Sequence, residues 1–299
     1  MQTEIPRAPL SLRSLLADHL ALTKPPIVLL LLVTALGGLF MAARGTPPVG
    51  VTLWVLCCGA LAAGGANSIN HALERDVDGL MRRTSRRPVA TNRVSPRAAM
   101  LQGFVLNAVA FALLTHYVNP LTGTLTLSAT LFYVLVYTKW LKRTTTQNIV
   151  IGGAAGAVPP MAGWAAITGS LDLPAVYLFA IIFFWTPPHF WALSLLLKDD
   201  YARAGIPMLP VVRGVPETVR SILLYSVLLV ALTVMFFLLP EVGLVYLIFA
   251  APLGAVLLWF AWRLWRSAGE RGSKPLYLYS LLYLAVLFAG VMLDSSVAL

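Results

Sequence analysis

Nine stretches of the chain carry apolar residues almost without interruption: 25–43, 49–71, 98–117, 120–138, 147–168, 173–197, 218–239, 242–262 and 275–293. As helices rising about 1.5 Å per residue, they are long enough to cross roughly 30 Å of hydrocarbon. None shows the strict alternation of a barrel strand. The pattern predicts an all-α polytopic membrane protein with nine transmembrane helices in one domain, 25–293. Residues 1–24 are expected to form a cytoplasmic N-terminal tail and 294–299 a short extracytoplasmic C-terminus. Composition agrees: 59% of residues are hydrophobic and mean hydropathy is +0.80, beyond the range of soluble domains.

Charge orients this pattern. Of the 22 Lys and Arg residues, all but Arg44 fall in the N-terminal segment or in every second loop. The positive-inside rule makes that side cytoplasmic, and an odd number of spans then puts the C-terminus outside. The net charge of +10 thus reflects topology, and nucleic-acid binding is not implied. The first 24 residues contain Glu4, Pro6 and Asp18 but no long apolar core, unlike a signal or transit peptide. A bacterial inner membrane is the expected location. Cys57 and Cys58 are neighbours within a span, which favours packing over a disulfide.

The polar interruptions carry the candidate chemistry. Asn70, Glu74 and Asp78 recur every four residues, so a helix would align them on one face. Asp76 lies off that stripe, and Arg75, Arg82 and Arg83 surround it. Only 11% of residues are charged, so this density calls for a cause. Hard oxygen donors at a membrane edge suit Mg²⁺, and a cation beside arginines suits a phosphorylated substrate. Lys139, Lys142 and Arg143 end the fourth span, where Lys139 and Arg143 would be i,i+4 neighbours able to meet a diphosphate. A third set is Trp185-Thr186-Pro187-Pro188-His189-Phe190-Trp191, followed by Lys198-Asp199-Asp200-Tyr201. His19 and His116 have no constellation around them, and His71 points about 100° off the Asn70 direction. Gly152 and Gly156 form a small-residue motif suited to helix packing, ahead of Pro159-Pro160. The intervals 72–97 and 198–217 both run from carboxylates through basic residues to proline, a weak internal echo that would bring two acidic helix ends to one cavity.

The Asn-xxx-Glu-xxx-Asp stripe with Met81-Arg82-Arg83-Thr84 resembles the first acidic motif of the UbiA superfamily of intramembrane prenyltransferases. Residues 137–164 and 185–212 are similar to the branch of that superfamily that farnesylates protohaem IX. The resemblance implies a UbiA-type helical bundle that transfers a farnesyl group from farnesyl diphosphate to a vinyl group of haem B, giving haem O for haem-copper oxidases. It implies Mg²⁺ held by Asn70, Glu74, Asp78, Asp199 and Asp200, with Asn70, Glu74, Asp78 and Asp200 catalytic. Arg82, Lys139, Lys142 and Arg143 would bind the diphosphate, and His189 would contact haem. Haem A synthase or oxidase assembly factors are the implied partners, beside the lipid bilayer. Two positions depart from the pattern: Glu74 replaces the common aspartate, and Leu196 stands where a second DxxxD needs an acid. Prenylation of a quinone precursor such as 4-hydroxybenzoate is one alternative. A polytopic transporter is another, although its charges belong near the bilayer midplane rather than at helix ends.

Overall fold

Prolines and short polar side chains set where several helices begin. Pro25, Pro96 and Pro120 occupy first-turn positions, where the missing N–H costs nothing. Ser95 Oγ accepts from the Ala98 N–H (3.1 Å) and Asn119 Oδ1 from the Thr122 N–H (2.8 Å), capping two starts. The computed structural model describes residues 11–269 and 271–297. Its helices are α1 Leu12–Leu22, α2 Pro25–Ala43, α3 Val49–Leu73, α4 Pro96–Tyr117, α5 Pro120–Thr144, α6 Asn148–Thr168, α7 Leu173–Leu196, α8 Gly214–Leu238, α9 Leu244–Arg266 and α10 Ser273–Val297. Among the described residues, the nine from α2 to α10 are long and apolar enough to cross a membrane. The chain is an all-α, multi-pass membrane protein.

Successive membrane helices pack against one another, and α2 closes the assembly against α6 and α10. Small residues permit the closest crossings. A side chain at Gly38 would run into the carbonyl of Pro160, and one at Gly163 into that of Ala35, so α2 and α6 meet backbone to backbone. Gly152 is pressed against the Tyr137 ring, whereas Gly156 faces open space, so only half of the glycine motif makes a close approach. One core unites α6 through α10, and a smaller one joins α2, α3 and α4. Exposed Leu, Val and Trp side chains such as Leu53, Leu101, Leu228 and Trp259 form the outer surface, as a lipid-facing wall requires.

Several boundaries differ from expectation. Helix α1 occupies part of the segment expected as a tail, whose residues 1–10 lie outside the described set. Leu22 packs with Val89, Val94 and Ala99, docking α1 on the long loop before α4. Helix α5 runs six residues past the apolar stretch, and within it Phe132–Leu141 widens to π-helical geometry. Helix α10 continues through Val297, because Asp294 is buried and accepts from the N–H groups of Gly243 (2.7 Å) and Tyr246 (3.0 Å). That carboxylate caps the start of α9 from another helix. Residues 298–299 lie outside the described set.

Candidate active site at one end of the bundle

Helix α3 ends at Leu73, and Glu74 (φ −101°, ψ 7°) breaks its path before one more turn, Arg75–Asp78. The Glu74 N–H donates to the Asn70 carbonyl (2.9 Å) and the Asp78 N–H to that of Glu74 (2.8 Å), so the four-residue spacing survives. The expected single helix is corrected: the stripe crosses a helix end, and its side chains reach three different cations.

Asn70 Oδ1 accepts from Lys24 Nζ (2.8 Å), while its Nδ2 donates to Thr138 Oγ1 (3.2 Å) on α5. Lys142 donates to Glu74 Oε1 at 2.5 Å. Arg87 grips both oxygens of Asp78 (2.8 and 2.9 Å) and lies 3.9 Å from Glu74 Oε2, bridging the two acids. Glu74 and Asp78 are both almost fully buried (3% and 2% exposed). Two buried carboxylates thus face three cations, a balance that leaves room for an anion.

Burial and attraction compete in setting the protonation of these groups. Burial alone would raise the Glu74 carboxyl, but Lys142, Lys24 and Arg87 together hold it below its ordinary value. At Asp78 burial wins over Arg87, aided by the like charge of Glu74, and the carboxyl is raised. Burial and then Arg87 lower Lys24 to about 7.

Other expected residues sit apart. Lys139 is exposed and makes no ion pair among the described residues. Arg143 chelates Asp76 (2.8 Å twice) and donates to the Leu73 carbonyl (3.0 Å), tying α5 to the end of α3. Its hydrogen bond is the first cause that lowers the Asp76 carboxyl. Asp200 is buried on the turn Lys198–Arg203, pairs with Arg203 and accepts from the Arg82 main-chain N–H (3.1 Å). The two polar intervals therefore meet, through the backbone of Arg82 while its side chain stays exposed. Asp199 is exposed.

His189 lies inside α7, stacked on Trp185 (4.3 Å) and Tyr277 (4.8 Å). The Ser280 hydroxyl donates to the Tyr277 carbonyl (2.7 Å), so it accepts from His189 Nδ1–H (2.7 Å). Nε2 then carries the imidazole lone pair.

Pattern reading missed Lys24, Arg87 and Thr138. Arg87 is one of seven arginines between 75 and 97, with nothing periodic to single it out. Lys24 carried one signal, a lone cation next to Pro25 at a span edge. The donor set itself suits Mg²⁺, which takes one or two carboxylates and fills its shell with water and phosphate oxygens. Among the described residues no three acids, histidines or cysteines gather as a preformed metal cage.

Known proteins match most of the length of this chain. A Thermus thermophilus protein called "Protoheme IX farnesyltransferase" is 52% identical over 280 residues, covering 94% of this chain and 46% of its own length. A Deinococcus radiodurans protein of the same name is 47% identical over 294 residues, covering 94% of this chain and 93% of its own. The chain thus spans about half the length of several curated relatives, and nearly all of others. A solved UbiA homolog from Archaeoglobus fulgidus, bound to GPP and Mg²⁺, shares the fold at TM-score 0.63 and 19% identity, covering 92% of this chain and 99% of its own. The family model for UbiA prenyltransferases matches residues 31–292, and the chain belongs to the UbiA prenyltransferase family.

Proposed function

We propose that this protein transfers a farnesyl group from farnesyl diphosphate to a vinyl group of haem B, forming haem O. The observation that carries the reading is the buried cluster of Glu74 and Asp78 with Lys24, Arg87 and Lys142 at a membrane edge. A soluble diphosphate head and a lipidic tail can both reach such a place. The names of relatives 46–52% identical to this chain support the acceptor and the farnesyl donor.

In the reaction the donor C1–O bond breaks and diphosphate leaves with the electron pair. The vinyl π electrons form the new C–C bond, water adds to the resulting cation, and a proton is released. Asn70, Glu74 and Asp78 would hold Mg²⁺ with the diphosphate, and Asp200 is the proposed acid from the second polar interval; Asp199 is its neighbour in that role. When bound, Mg²⁺ supplies Lewis-acid stabilisation of the leaving diphosphate. Lys142, Arg87 and Lys24 would neutralise developing charge in a site poor in solvent, where such charges act strongly. Arg82 and Lys139 are exposed cations that could meet the diphosphate, and Arg143 would have to leave Asp76 to join them. His189, with Nε2 unprotonated, is the proposed haem contact.

The distribution of basic residues supports a bacterial inner membrane, with the site cytoplasmic and the C-terminus outside. Haem A synthase or oxidase assembly factors are the proposed recipients of product. Expression in a host lacking haem O, followed by haem extraction and mass spectrometry, tests the activity. Haem O is expected; a prenylated 4-hydroxybenzoate and unchanged haem B would move the chain to quinone-precursor chemistry.

A further inference from the structure

Asn67, Asn70, His71 and Glu74 fall at spacings that place them around one side of α3. That side meets the joint between α1 and α2, where Asn67 Nδ2 donates to the Thr23 carbonyl (3.1 Å) and Lys24 donates to Asn70. Each other polar group here has a protein partner. His71 does not: its side chain is 2% exposed, and neither Nδ1 nor Nε2 has a hydrogen-bond partner. The charged groups whose fields reach the ring most strongly are Lys24 and Arg87.

A buried polar atom left unmatched costs free energy, and an apolar side chain would pack in its place without that penalty. An imidazole always offers at least one N–H donor. Lys24 is bonded to the adjacent Asn70 and the fields of Lys24 and Arg87 both reach the ring, so its N–H is ill suited to a further cation and suited to an oxyanion that those cations attract. We propose that His71 is a further substrate-binding residue, donating an N–H to a non-bridging oxygen of the diphosphate between Lys24 and Arg87. This rests on the prenyl-diphosphate reading above and adds a neutral donor to its cationic clamp. The contact contributes direction, because Lys24 and Arg87 attract charge from many angles while a ring N–H points along one line.

The whole chain 1–299 in nanodiscs, labelled with ¹⁵N-histidine, tests the assignment directly. It contains four histidines, and a His71→Asn variant identifies the resonance of His71. Adding inorganic pyrophosphate is expected to shift the His71 ring signals and leave those of His116 and His189 in place. His71→Phe is expected to weaken pyrophosphate binding about tenfold, with His71→Gln recovering part of the loss. An unmoved His71 resonance, or wild-type affinity in His71→Phe, overturns the proposal. So does a ring that responds only to a diamagnetic metalloporphyrin, which would make its partner a haem propionate. Arg87→Gln and Lys142→Gln separate the two levels. If they weaken pyrophosphate binding and His71 variants do not, only the histidine assignment fails. If none of them changes affinity, the diphosphate site itself is elsewhere.

Discussion

Glu74 is held as an anion where water scarcely reaches, so its partner matters more than its exposure. Removing one side of a buried pair strands the other charge, at roughly 3–5 kcal/mol. Lys142→Met is expected to lose about that much stability in detergent unfolding. Adding Glu74→Gln should restore most of it without restoring turnover. Glu74→Gln alone, or Asp78→Asn, is expected to lower haem O formation at least about 100-fold per folded molecule, beyond the stability that the stranded cation costs. Near-normal product from both variants would remove these carboxylates from the mechanism. Lys24 gives a sign that can be checked. Its lowered value of about 7 means the free protein sheds this proton as pH rises through 7. A bound diphosphate favours the charged form, so pyrophosphate binding at pH 8 should take up about one proton. Calorimetry in buffers of different ionisation enthalpy reads that uptake, and Lys24→Arg, which stays charged, should remove it. Equal uptake by both proteins would locate the proton elsewhere. The stripe of Asn70, Glu74 and Asp78 was legible because spacing along a helix is a property of sequence. Lys24, Arg87 and Thr138 were not, since they arrive from other segments and tertiary neighbours leave no period.

At the scale of elements, apolar length and proline positions located the spans to within a few residues in most cases. The misjudged ends share a cause: a polar side chain satisfied by a distant partner lets a helix continue. Asp294 carries α10 onward because it caps α9, and Lys142 carries α5 onward because it meets Glu74. Asp294→Ala is expected to cost about 1–2 kcal/mol, the usual loss for a helix cap, with Asp294→Asn costing less. Thermal unfolding of the purified protein measures both. Equal stability of all three would mean that water replaces the cap.

The whole molecule places its polar chemistry at one end of an apolar bundle. Loops from three separate intervals converge there: Lys24, the stretch from Glu74 to Arg87, and the turn around Asp200. Charge counting anticipated the shared face, but which helices adjoin could not be read from the chain. The close contact of α2 with α6 rests on glycines that look like many other small residues until the partner backbone is seen. The proposed orientation rests on the same asymmetry. Alkaline phosphatase fused after Val297 is expected to be active, and one fused in the loop after Gly205 inactive; the reverse pattern would invert the topology.

The π-helical stretch of α5 turns length into aim. Each i→i+5 turn takes in one residue more than an α-helical turn. Deleting a single residue between Phe132 and Leu141 would let this stretch tighten to α-helical geometry while the end of the helix keeps its phase. Lys142 would still meet Glu74, whereas the same deletion in the regular part, Pro120–Leu131, would turn it away by about 100°. The segment works as a slack turn, in which the membrane helix can lose a residue without mistiming a distant charge.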